Sequence, residues 1–291
     1  GIALVPLPSI AAPTYQGAWS RPCLPDTTIF PSDVAISTSG NVLVVNHHRR
    51  ADLFSNRGDC LFTWTVSAAP TELWTIDATP GDGAIVLDFG ARKVRTFASD
   101  GSPIAVWGTF GNGLGQLNEP HAAILNPDGE VVVPDAGKMR VMVFTLDGTY
   151  LREWTPNVLP QVAAIDDSGY VYLAGSAGVM SMFRGDGTFV RFIGAQADHP
   201  NPAGIAVSPD GSIYVSDGLL NFITVFDRNG VRTDRFGTPG LGPGQFAGAG
   251  SLAFDAAGNL YVCEQTRISK WGPGPSPSTR RSWGQLKVMH R

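Results

Sequence analysis

Short apolar runs recur along the chain, each opened by a turn and each too brief for a helix. They read VLVV at 42–45, AIVL at 84–87, VVV at 131–133, VYL at 171–173, IYV at 213–215 and LYV at 260–262. Runs of three to five apolar, mostly β-branched or aromatic residues bounded by Gly, Asn, Asp and Ser predict buried strands. A turn glycine precedes each run, at Gly40, Gly83, Gly129, Gly169, Gly211 and Gly258, so the intervals are 43, 46, 40, 42 and 47 residues.

A second regularity lies downstream of each run. An aromatic, a turn glycine four residues on and a bulky residue ten residues on recur as Phe54–Gly58–Trp64, Phe97–Gly101–Trp107, Phe144–Gly148–Trp154, Phe183–Gly187–Ile193 and Phe226–Gly230–Phe236. Constant offsets predict a hairpin of fixed length, so each unit holds four short antiparallel strands, and there are six units. A four-stranded sheet repeated every 40 to 50 residues is the signature of a β-propeller blade. The expected fold is all-β: a six-bladed β-propeller of four-stranded antiparallel blades.

Such a ring must close, because an unpaired first or last sheet exposes apolar faces and edges. The sixth unit reaches Trp271 and then runs into GPGPSPS, with Pro275 and Arg281 where its hairpin glycine and outer bulky residue belong. At the other end TYQGAW, residues 14–19, has the Tyr-to-Trp spacing of Tyr150 to Trp154. We therefore expect the N-terminal strand to close the last blade, with Ser282-Trp283-Gly284 as a rival. The expected organisation is an extension at 1–13, one propeller domain at 14–272 and a Pro/Ser-rich, basic tail at 273–291.

Composition fits this picture. The 291 residues hold 35 glycines and only 16% charged residues, against about 25% in an average soluble chain. The net charge of −4 argues against a nucleic-acid partner, and no apolar run is long enough to span a membrane as a helix. The chain begins at Gly1, which fits either signal cleavage or an artificial trim; a secreted or extracellular location is the expectation. FGNGLGQL at 110–117 resembles a phosphate-binding loop, but strands rather than a helix follow it, and a related glycine run recurs at 236–250. It reads as a connector between blades.

The units PHAAILNPDGEVVVPDAGKMRVMVF, residues 120–144, and PAGIAVSPDGSIYVSD, residues 202–217, resemble the NHL-repeat family over nearly the whole chain. That resemblance implies the six-bladed propeller again. It implies a choice of functions, because the family includes protein-binding and RNA-binding platforms and is similar to propeller enzymes, namely metal-dependent lactonases and a zinc-dependent lyase. It also implies that the acid ending a second strand pairs with a base a few residues on. Here the second strands end in Asn46, Asp88, Asp135, Asp217 and Glu264, with bases at Arg50, Lys93, Arg140 and Arg267. Asp217 has Phe222 in the partner's place, which marks it as a candidate for a ligand.

Ligands of propellers sit at the mouth of the central channel, where inner strands begin. Ser32, Thr71, His121, Gln161, Ala203 and Gly250 hold that position, followed by Asp33, Glu72, Ala122, Val162, Gly204 and Ser251. Asp33, Glu72, His121, Gln161 and Asp217 are thus the candidate ligand-binding residues, and calcium is the cation that two carboxylates and an amide suit best. The plainer alternative is that Asp33 and Glu72 hold backbone N–H groups at strand starts. The histidines (His47, His48, His121, His199, His290) occupy different repeat positions, so they predict no symmetric zinc ring, and no catalytic motif is present. Of the three cysteines, Cys60 is placed too far from Cys23 and Cys263 for a bridge, Cys23–Cys263 is conceivable, and three thiols are the default. The leading expectation is a non-enzymatic scaffold whose partner is a protein, a glycan or a copy of itself. A calcium-dependent lactonase or lyase is the alternative.

Overall fold

The computed structural model describes residues 13–20, 23, 30–46, 49–67, 72–175, 178–198 and 201–272. They form six four-stranded antiparallel sheets. Blades 1 to 5 are continuous in sequence, from inner to outer strand. Blade 1, for example, is Pro31–Ile36, Val42–Asn46, Arg50–Phe54 and Cys60–Thr65. Blade 6 is the exception. Its first three strands are Leu252–Phe254, Leu260–Glu264 and Arg267–Gly272, and its outer strand is Thr14–Trp19 from the other end of the chain. Thr14 pairs with Gly272 and Trp19 with Ile268, so the N-terminal strand closes the ring. Residues 282–284 lie outside the described residues.

Second strands such as Val42–Asn46 and Val131–Asp135 are buried along their whole length. Every blade lies between two others, so both faces of its middle strands are covered and alternation is lost. The core is accordingly not central: apolar clusters fill the spaces between consecutive blades. Leu43 and Val45 of blade 1, for instance, pack with Ile76, Val86 and Phe97 of blade 2.

The fixed Phe–Gly–Trp spacing now has a physical cause. Five of the six bulky residues that end outer strands lie against the hairpin glycine of the next blade: Trp19 on Gly58, Trp64 on Gly101, Trp107 on Gly148, Trp154 on Gly187 and Ile193 on Gly230. Phe236 of blade 5 packs on Trp271 instead, because blade 6 takes its outer strand from the other end of the chain. A Cβ at Gly148 would stand 2.2 Å from the Trp107 ring, and one at Gly58 would stand 2.7 Å from that of Trp19. These glycines also adopt φ of 75° to 93°, a conformation that side chains disfavour. Only glycine satisfies both demands.

That contact corrects the expectation for the cysteines. Cys23 and Cys60 form a disulfide with a Cα–Cα distance of 5.2 Å, and Cys263 is buried as a free thiol. Strand twist accumulates from the inner to the outer strand of a blade. It carries the end of Thr14–Trp19 against the 55–59 hairpin of blade 1, and Cys23 follows Trp19 closely enough to meet Cys60. A blade imagined as flat places them at opposite ends.

Two outcomes test this closure. Deletion of residues 1–20 lowers Tm by many degrees in a thermal melt, because it strips the outer strand from blade 6 and the indole from blade 1. Cys60→Ser, or reduction of the wild type, lowers stability by roughly 3–4 kcal/mol in the chain-entropy picture for a loop of this size, measured by urea titration.

Candidate functional site

The inner strands surround a channel of about 640 Å³. Three of them start with a β-bulge, between Pro31 and Asp33, Leu73 and Thr75, and Pro202 and Gly204. Ser32, Trp74, His121, Gln161 and Ala203 all line the channel, so Asp33, His121 and Gln161 are brought together as the repeat alignment predicts.

Glu72 is not. Leu73 pairs with Asp88 as Pro31 pairs with Asn46, so Trp74 takes the place of Ser32 and Thr75 that of Asp33. Glu72 stands exposed ahead of the strand, outside the channel lining, and its backbone carbonyl accepts the Phe89 N–H at 2.8 Å. Thr71 lies outside the described residues. The irregular lead-in to blade 2, which has no proline at the strand start, hid the three-residue offset. The carboxylate that blade 2 does contribute is Asp77. An acid inside the otherwise uncharged strand Leu73–Thr79 was the signal for it.

Asp217 also departs from expectation. It is fully buried at the end of its strand, away from the channel lining. Its carboxylate accepts N–H bonds from Asn201 at 3.1 Å, Leu219 at 3.1 Å and Leu220 at 2.7 Å. Backbone donors thus replace the missing base. Elsewhere the acid–base pairs hold with one exchange. Asp135–Arg140 is 3.3 Å and Glu264–Arg267 2.9 Å, but Asp88 pairs with Arg95 at 3.0 Å while Lys93 donates to the Gly108 carbonyl. Residues 93 and 95 are two apart on one strand and share a face, so the longer guanidinium claims the acid.

Polar side chains in the channel join one blade to the next. Asp33 accepts the N–H of Val34 on its own strand and of Ile76 on blade 2, both at 2.8 Å. Thr75 accepts from Ala123 at 3.3 Å and Asp77 from Leu125 at 2.8 Å, both on blade 3. Ser251 of blade 6 accepts from Val34 at 3.2 Å. These stitches bind blades 6, 1, 2 and 3. On the far side Ala122, Val162 and Gly204 offer no side-chain acceptor, and blades 5 and 6 instead approach backbone to backbone: a Cβ on Gly204 would stand 2.5 Å from the Gly250 carbonyl.

Burial pushes Asp33 up to about 7 and Asp77 up to about 6 from the usual 3.8, although their hydrogen bonds act in the other direction. His121 is lowered, chiefly by burial. Its ring meets Trp74 edge-on at 4.9 Å, Trp74 stacks on Phe89 at 3.7 Å, and the Arg92 guanidinium caps Phe89 at 4.0 Å. The mouth therefore has an aromatic wall, while Asp33 and, two positions further down, Asp77 line the channel. The calcium expectation loses Glu72 and Asp217 from its donor set. Among the described residues no three His, Cys, Asp or Glu side chains converge as metal ligands. His47, His48, His199 and His290 lie outside those residues.

The two carboxylates give a pH prediction. Their folded values exceed the unfolded ones, so folding takes up protons; that contribution is full below about pH 4 and is lost as pH rises through 6 and 7. Asp33→Asn and Asp77→Asn, which cannot ionise, therefore flatten the fall in Tm of the wild type between about pH 5 and pH 8. An unchanged slope in both variants would show that the acids ionise at ordinary values.

No protein-family model matches the chain. It is 26% identical over 144 residues to protein brain tumor of Drosophila melanogaster, covering 45% of this chain and 14% of that protein. It is 26% identical over 221 residues to E3 ubiquitin-protein ligase NHLRC1 of Homo sapiens and over 225 to that of Rattus norvegicus, covering 69% of this chain and 54% of each relative. The chain thus spans about half the length of the ligases it matches. Among solved structures, a streptogramin B lyase superposes with a TM-score of 0.66 at 13% identity, over 88% of this chain and 96% of that one. A virginiamycin B lyase from Staphylococcus aureus gives 0.64 at 14% identity, over 88% and 87%. At such identities the lyases speak for the fold alone. The repeat pattern, the six four-stranded blades and these relatives mark the chain as a six-bladed β-propeller of NHL-repeat type.

Proposed function

We propose that the chain is a non-enzymatic binding propeller, secreted or at the cell surface, that engages a protein through the face bearing the channel mouth. The observation that carries this reading is where exposed apolar side chains sit. Phe30, Phe110, Leu114, Met139, Leu219 and Leu241 all lie on loops of the mouth face, with Phe110 at 70% and Leu114 at 75% exposure. On the turns of the opposite face, Val231 is the one large exposed apolar residue among those described. Others, such as Ile104, Phe189 and Phe192, lie along the outer strands, but of the two ends of the channel only the mouth, among the described residues, gathers apolar loop tips, which a protein interface can use. A relative named as a ubiquitin–protein ligase supports a protein as the partner class. The Cys23–Cys60 bridge supports an oxidising compartment.

The rival reading is a lyase, favoured by the grouping of Asp33, Asp77 and His121 in one channel. Against it, each aspartate already accepts two backbone N–H bonds, one on its own strand and one that joins it to the next blade. Two experiments separate the readings. Affinity capture with the wild type recovers proteins that are lost with Phe110→Ser/Leu114→Ser and kept with the outer-strand variant Ile104→Ser. Incubation with quinupristin leaves that molecule intact by mass spectrometry; its conversion would sink the non-enzymatic reading.

A further inference from the structure

The two glycine-rich connectors are one loop built twice. GTFGNGLGQL at 108–117 and GTPGLGPGQF at 237–246 align without a gap. In each, the glutamine side chain accepts the N–H of the glycine three residues before it: Gln116 from Gly113 and Gln245 from Gly242, both at 2.9 Å. The arginine that opens the third strand donates to loop carbonyls. Arg140 reaches Gly113 at 3.1 Å and Gln116 at 2.6 Å, and Arg267 reaches Leu241 at 2.7 Å and Gln245 at 2.9 Å. The acid ending the second strand takes the N–H just beyond the loop, Asp135 from Asn118 at 3.2 Å and Glu264 from Ala247 at 2.8 Å. The glycines make room for the glutamine: a Cβ on Gly111 or Gly240 would stand 2.2 or 2.3 Å from its Oε1.

These connectors lead into blades 3 and 6, which face each other across a ring of six. Hydrogen bonds use the inside of each loop, and the exposed residues include large apolar ones, Phe110 and Leu114 on one loop and Pro239, Leu241 and Pro243 on the other, beside Thr109, Asn112 and Thr238. Locking a glycine-rich loop is entropically costly, and neither loop covers core with those tips. Between the loops lies the channel, lined by Asp33, Asp77 and Trp74 and, among the described residues, by no lysine or arginine.

We propose that the opposed glycine loops form two supports of a docking surface for an extended protein segment, whose apolar side chains rest on Phe110, Leu114 and Leu241 while a lysine or arginine between them enters the channel. The proposal rests on the reading of the mouth face as a protein-binding face and adds the chemistry of the partner. Preformed loops spare the ordering cost of binding. The cation passes the Trp74 indole to Asp33 and, deeper, Asp77, whose oxygens each accept one backbone N–H and keep a second lone pair for it, so charge and the ring face both attract it. Small residues at the mouth on blades 5 and 6, Ala203 and Gly250, leave that side open.

The probe is a phage-displayed library of random twelve-residue peptides, selected on the immobilised full chain. Expected are peptides with one basic residue flanked by large apolar ones. Their affinity, read by fluorescence polarisation, falls at least tenfold in Phe110→Ser/Leu241→Ser, whose two sites are exposed and leave the melt unchanged. Replacing the peptide's basic residue by norleucine costs a similar factor against the wild type. It costs little against Asp77→Asn, and Asp33→Asn provides the same comparison should Asp77→Asn fail to fold. Enrichment of peptides that need the loops but carry no basic residue overturns the proposal while leaving the protein-binding face standing. No enrichment overturns the proposal; with affinity capture also indifferent to Phe110→Ser/Leu114→Ser, both readings fall. A dimer in sedimentation velocity that Leu241→Ser abolishes would make the occupant a second copy and overturn it too.

Discussion

At five of the six blade junctions a bulky side chain ending one outer strand rests on the hairpin glycine of the following blade, and the rest of the ring depends on that contact. It fixes the distance and rotation between blades at the circumference, where a stack of twisted sheets has the most freedom to splay. The indole of Trp107 lies so close to Gly148 that no other residue fits. The same demand recurs five times, from Trp19 on Gly58 to Ile193 on Gly230, which explains why the sequence keeps one hairpin length while its connectors vary freely.

Closure follows from the same geometry. The strand Thr14–Trp19 supplies blade 6 with its edge and blade 1 with its first indole, and Tyr15 packs edge-on against Trp271 at 5.4 Å. The Cys23–Cys60 bridge then holds the chain where this strand meets blade 1. A single terminal segment thus secures two blades that are far apart in sequence, an arrangement that converts a linear stack into a ring in which every blade face is covered by a neighbour.

At the axis the constraint differs. Inner strands converge there, and their free N–H groups need acceptors. Asp33, Thr75, Asp77 and Ser251 supply these to the neighbouring blade on one half of the ring. This is the plainer role the repeat alignment allowed for Asp33, and it occupies the carboxylates that a catalytic reading would require. The chemistry left for recognition is therefore found around the mouth: apolar loop tips, an aromatic wall of Trp74, Phe89 and His121, and a negative channel behind them.

Periodicity alone determined the number of blades and the strands in each, because those features follow from repeated spacing of turns and bulky residues; it favoured the N-terminal strand as the closing one, and the pairing of Thr14–Trp19 with blade 6 decided it. Periodicity also placed Asp33, His121 and Gln161 on one channel. What it did not determine depended on register and twist. The lead-in to blade 2 is irregular, so periodicity puts Glu72 where Thr75 stands and does not point to Asp77. Asp217 lacks a basic partner in sequence, yet three backbone N–H groups from folded loops satisfy it. The disulfide needed the twist that brings Trp19 to Gly58. Repeat spacing is encoded locally and can be read from one chain; the pairing of an acid, a bulged strand start or two cysteines is settled only when separate segments meet in space.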